Sequence, residues 1–124
     1  MPLYFSPLEK TVVQNFRNEI KRLGGRTIKT RGSDLMAASL EPDIIGCLRG
    51  YLFAAEAKRD KTKKATRGQE YCLEEWKQAG AITLVFWDWK KAVEYILEEI
   101  KLKETNSGTK FNESDRVHEG YIPY

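Results

Sequence analysis

Between Asp43 and Lys58 the chain reads DIIGCLRGYLFAAEAK, two apolar segments joined by Arg49-Gly50. Branched and aromatic residues on either side of a glycine-containing dipeptide specify a tight β-hairpin. With Arg49 and Gly50 as the loop, Leu48 pairs with Tyr51, and counting outward along both strands brings Asp43 opposite Glu56. Period-two alternation puts Asp43, Ile45 and Cys47 on the same face as Leu52, Ala54, Glu56 and Lys58, with Ile44, Leu48, Phe53 and Ala55 on the other. Opposed Cβ atoms lie about 5 Å apart in such a pair, so two carboxylates there destabilise the sheet unless something neutralises them.

A hard divalent cation answers that demand. Magnesium favours carboxylate and carbonyl oxygens and keeps several waters, which suits two acidic side chains at one end of a hairpin. Lys58, two residues beyond Glu56 on the same face, is placed to stabilise charge on a phosphate or to activate a water. The Glu-x-Lys triplet is not specific by itself, since it also occurs at Glu19, Glu75 and Glu99. Those three fall in segments with helical periodicity, where residues i and i+2 diverge. Only Glu56 and Lys58 share a strand face.

The surrounding pattern is equally regular. Ser6-Pro7-Leu8-Glu9 reads as a capping box that opens a helix, in which Leu8, Val12, Phe16, Ile20 and Leu23 form the apolar stripe and Gly24-Gly25 the stop. Arg26 to Thr30 is a short strand candidate, followed by a small and polar loop over 31–41. Thr66 and Gln69 have the spacing of a second capping box, for a helix ending at Gly80. The run 81–87 is a buried strand by composition, and Asp88 caps a third helix striped by Trp89, Val93, Ile96, Leu97 and Ile100. The order is α-β-β-β-α-β-α, an α/β chain with a mixed sheet flanked by helices, because the hairpin pairs antiparallel and the helix before residue 81 permits a parallel crossover. Residues 1–104 form one domain in this reading, and 105–124 a polar, irregular tail or an arm that packs on a partner.

Composition narrows the function classes. At 124 residues and 41% hydrophobic content there is room for one core. Cys47 and Cys72 stand apart and His118 is the sole histidine, so a zinc site of nitrogen and sulfur ligands is not expected and any metal is held by oxygen. No window approaches the roughly 18 apolar residues of a membrane span, and residues 1–6 lack the features of a signal peptide, so neither a membrane partner nor secretion is expected. The net charge is only +3, but Lys58, Arg59, Lys61, Lys63, Lys64 and Arg67 cluster directly after the hairpin. Following a carboxylate-bearing strand, such a cluster favours phosphate contact over a merely solvated face.

Pro42-Asp43 followed by Glu56-Ala57-Lys58 resembles the signature of the PD-(D/E)XK nuclease superfamily. The longer pattern, GGRTIKTRGS, PDIIG, GYLFAAEAK, Gln69 and AGAI, is similar to its VRR-NUC (virus-type replication-repair nuclease) branch, in particular to small stand-alone phage forms related to Holliday-junction resolvases. The resemblance covers roughly residues 6–100 and implies an αβββαβ core that hydrolyses DNA phosphodiesters with Mg2+ or Mn2+ and needs no nucleotide cofactor. It makes Asp43, Glu56 and the Ala57 carbonyl metal ligands, Lys58 the catalytic lysine, and Gln69 a side chain aimed at the scissile phosphate. Glu9 corresponds to the acidic residue of the first helix that holds a metal or its water, with Glu19 as the alternative. Ser33 matches a loop serine that contacts the site or the phosphate, and Arg31, Lys61, Lys63, Lys64 and Arg67 are the expected nucleic-acid contacts. A branched DNA substrate, a homodimer presenting two sites, and residence in the cytoplasm, that of the bacterial host if phage-encoded, follow from the same resemblance. Part of the case for a dimer is the apolar strand and aromatic pair over 81–89. Ser39-Leu40-Glu41 stands where the family has a glycine, and Glu41 is an extra acidic group close to the ligands. A nuclease-fold module that binds DNA or a partner without cutting, and a restriction-type or nicking enzyme, remain open alternatives.

Overall fold

The computed structural model describes residues 7–30, 40–105 and 120–124. Helix α1 (Pro7–Arg22) is followed by β1 (Arg26–Lys29), β2 (Ile44–Leu48), β3 (Tyr51–Ala57), α2 (Arg67–Gln78), β4 (Ile82–Phe86), α3 (Trp89–Thr105) and β5 (Tyr121–Pro123). The strands form one sheet in the order β1-β2-β3-β4-β5. Only β3 and β4 run parallel, joined through α2, and the other neighbours are antiparallel.

The hairpin turn is made by Arg49 and Gly50, both at positive φ (54° and 87°), the backbone of a type I′ turn whose twist matches the strands. Its register is the one the alternation requires, Leu48 with Tyr51 and Ile44 with Ala55. On one face Ile44, Leu48, Phe53, Ala55, Ala57, Ile82, Leu84 and Phe86 pack against Val13, Phe16 and Ile20 of α1 and Val93, Tyr95, Ile96 and Ile100 of α3. Phe16 is central to this core, stacking edge-on to Phe53 at 5.7 Å and lying 4.7 Å from Phe86. Helix α2 contacts β3 and β4, and its buried side chains are Gln69 and Leu73.

The helix boundaries follow local chemistry. Gly24, at φ 96°, lets its own N–H bond back to Lys21 and that of Gly25 to Ile20, the paired contacts that terminate α1. Thr66 and Gln69 form the reciprocal capping box of α2. The Asp88 carboxylate accepts from the backbone N–H groups of Lys90 and Lys91 at the start of α3. Ser6, read from the sequence as the cap of α1, lies outside the described residues.

Two expectations need correction. The helix after Asp88 extends through Thr105, and residues 120–124 are not irregular: β5 adds to β4, with Trp87 N–H and Asp88 N–H bonding to the Gly120 carbonyl and Tyr124 N–H to that of Thr83. The Tyr121 ring lies 4.6 Å from that of Tyr95, so the aromatic residues of this segment are packing residues. β4 lies between β3 and β5 with all five of its residues buried, while Trp87 and Trp89 just beyond it are half-buried. No helix among the described residues is long and apolar enough to cross a membrane.

Candidate active site

Asp43 sits immediately before β2, and Glu56 is the penultimate residue of β3. Extension of the observed register brings them face to face across the hairpin, and each is only 1% exposed. Buried carboxylates are retained only where other groups satisfy them. Asp43 Oδ2 accepts the Ala57 backbone N–H at 3.0 Å, which fixes its carboxylate against the end of β3. Glu56 Oε2 accepts from Gln69 Nε2 at 2.9 Å and lies 3.5 Å from Lys58 Nζ. The other oxygen of each, Asp43 Oδ1 and Glu56 Oε1, is closed to solvent with no hydrogen-bond donor against it among the described residues.

Gln69 links the constellation to the helix that covers it. Its Oε1 accepts both from Thr66 N–H, at 2.9 Å, and from Lys58 Nζ, at 3.1 Å, while its own N–H bonds to the Thr66 hydroxyl. One side chain therefore closes the α2 cap and bonds both Glu56 and Lys58. The sequence allowed Gln69 to serve both as a capping-box residue and beside the carboxylates, and its hydrogen bonds reach Thr66, Lys58 and Glu56.

The chain entering Asp43 is tied on two sides. Thr30 N–H donates to the Asp43 carbonyl at 2.8 Å and the Thr30 hydroxyl to that of Pro42 at 2.5 Å. From α2, Trp76 Nε1 donates to Glu41 Oε1 at 2.9 Å. Cys72 lies half-buried on the same helix, where burial first, and then the charges of Glu41, Glu75 and Glu56, push its thiol pKa up. The sequence raised Glu41 only as a further acidic group; an indole two turns into the following helix was not an anticipated partner.

The remaining sequence candidates separate. Glu9 occupies the first turn of α1 and is half-buried. Among the described residues no three His, Cys, Asp or Glu side chains gather into a group that could hold a metal, so Glu9 does not join Asp43 and Glu56 in such a cluster. Glu19 is engaged elsewhere on α1, in a two-pronged contact with Arg22 that lowers its pKa. Lys61, Lys63 and Lys64 are exposed on the loop into α2, where Asp60 folds back on Thr62, and Arg67 is exposed at the first position of that helix. Arg31 and Ser33 lie outside the described residues. What the site offers is two buried carboxylates, oxygen donors of the kind a hard divalent cation takes, with Lys58 and Gln69 beside Glu56.

A solved structure described as a VRR_NUC domain is similar to this chain with a TM-score of 0.59 and 24% sequence identity, over 82% of this chain and the whole of that one. That likeness establishes the fold, a mixed five-stranded sheet flanked by helices as in a VRR_NUC domain. No family model and no curated protein sequence matches the chain.

Proposed function

We propose that the chain is a metal-dependent deoxyribonuclease that hydrolyses phosphodiester bonds in branched DNA, such as a Holliday junction, in phage replication or repair. The observation that carries this reading is the pairing of Asp43 with Glu56, both buried, beside Lys58 and Gln69 at the end of the central strands. A binding module has no use for such a pair, and a hairpin of apolar residues of similar volume holds together at least as well.

Asp43, Glu56 and the Ala57 carbonyl would hold a Mg2+ or Mn2+ ion. When bound, such an ion neutralises phosphate charge and makes water acidic enough to attack phosphorus. Lys58, which is only 14% exposed in its side chain, delivers a positive charge to the developing phosphorane oxygens. Gln69 holds that ammonium in line with Glu56. Lys61, Lys63, Lys64 and Arg67 contact flanking phosphates, which positions the strand without reading its bases. Symmetric cutting of a junction calls for two sites related by a twofold axis, hence a homodimer.

The test is cleavage of a labelled four-way junction beside duplex, flap and single-stranded controls, with magnesium, manganese or EDTA. Paired cuts that vanish with EDTA and in Glu56→Ala are expected. Cutting of the duplex at defined sequences would replace the junction preference with a restriction-type activity. Binding without any cleavage would leave a non-catalytic nuclease-fold module.

A further inference from the structure

We infer that Glu41 is a positioning residue, fastened to Trp76 so that the backbone entering Asp43 is held at a fixed place relative to Glu56. The inference rests on the metal-dependent reading above and assigns Glu41 a role other than that of a ligand.

Helix α2 reaches both halves of the site. Its first turn holds Glu56 through Gln69, and its third turn holds residue 41 through the Trp76 indole. Just before Gln69, Leu40 lies on Gly68, where a Cβ would stand 2.3 Å from Leu40 Cδ1 and oblige that side chain to shift. The opposite side of the same segment is bonded to Thr30 of the β1 end. Residues 40–43 are therefore clamped between β1 and α2, with Asp43 at the end of the clamp. The Trp76 indole N–H is a donor with no acceptor function, so it pairs with an oxygen of Glu41 and with no other donor. The shared influence of Glu41 and Glu56 on Cys72 places both carboxylates around one stretch of α2.

A ligand and a positioning residue respond differently to conservative replacement. Glu41→Gln keeps a carbonyl oxygen for the indole and loses the charge; Glu41→Ala loses both. Mn2+ affinity is measured by titration of the metal alone, apart from any cleavage, and the Trp76 indole N–H exchange rate is read in metal-free protein, its resonance identified with Trp76→Phe. Alanine is expected to weaken Mn2+ binding about tenfold and to speed indole exchange, and glutamine to stay within about twofold of native in both, as residues that orient ligands behave. Equal losses of Mn2+ affinity in Gln and Ala variants would make Glu41 a ligand and overturn the inference. Native affinity and unchanged indole exchange in the alanine variant would overturn it too. A native chain that binds Mn2+ and cuts no DNA would refute the nuclease reading alone, while one that binds no Mn2+ would refute both.

Discussion

Gln69 Nε2 donates to Glu56 Oε2 at 2.9 Å while Gln69 Oε1 accepts from Thr66 N–H, so the cap of α2 and the site share one amide. Replacing Thr66 with Ala removes only the hydroxyl half of the box and is expected to cost about 1 kcal/mol of stability. Gln69→Ala also removes the amide that bonds both Lys58 and Glu56, leaving the buried Glu56 Oε2 the Lys58 ammonium at 3.5 Å, which adds a further penalty of about 1–3 kcal/mol. Urea titrations of both variants beside cleavage rates separate the two: Thr66→Ala should keep most of its activity, and Gln69→Ala should lose both stability and rate. Equal activity in the two would detach Gln69 from the site.

Asp43 and Glu56 place like charges together in the interior, an arrangement suited to a function and unfavourable to the fold. Asp43→Asn retains an acceptor for the Ala57 N–H and removes one charge. Its metal-free melting temperature is expected to equal or exceed that of the native chain, a common result when a functional site is neutralised. Addition of Mg2+ should raise the native melting temperature, by mass action, and leave the variant unmoved. Paired thermal scans with Mg2+ and with EDTA read both effects. A cation-induced shift of native size in Asp43→Asn would remove Asp43 from the ligand set.

The cations beyond β3 make a separate, electrostatic prediction. Lys61, Lys63, Lys64 and Arg67 are exposed, and a phosphate contact by any of them releases counterions. Each alanine substitution is expected to lower the slope of log affinity against log salt by about one and to weaken all DNA sequences alike. Binding in EDTA over a salt series, with two unrelated sequences, checks this. A slope unchanged in the quadruple variant would move the DNA path off this loop.

The hairpin was legible because two signals agreed: alternation set the faces, and Arg49-Gly50 set the register, which brings Asp43 opposite Glu56 across the hairpin. β5 was not legible, because a three-residue strand ending in proline, set in a polar stretch, carries no periodicity. Its pairing is decided by β4, whose outer edge needs backbone partners, and by Tyr95, which offers Tyr121 a ring to pack on. The Glu41–Trp76 contact was hidden for a similar reason, since it joins residues 35 apart that no local pattern connects. Tyr121→Ala is accordingly expected to destabilise the fold by about 2–3 kcal/mol, the lower range for losing a large aromatic because the ring is half-buried. Chemical denaturation measures it, and a change under 0.5 kcal/mol, typical of a surface site, would deny β5 a structural role.

Cys47 and Cys72 test the packing of α2 without any substrate. Cys47 is exposed on β2, whereas Cys72 is half-buried on α2, with burial and the negative charges of Glu41, Glu75 and Glu56 raising its pKa. The thiolate is the species that reacts, and a raised pKa means that less of it is present at a given pH. Iodoacetamide at pH 8 should therefore label Cys47 first, and the rate at Cys72 should climb only at higher pH. Glu41→Gln removes one of the charges that hold the Cys72 pKa up, so its alkylation profile is expected to shift toward lower pH while that of Cys47 stays in place. Mass spectrometry of the two cysteine peptides across a pH series gives both curves. Faster labelling of Cys72 than of Cys47 in the native protein would mean that Cys72 is not shielded at its place on α2.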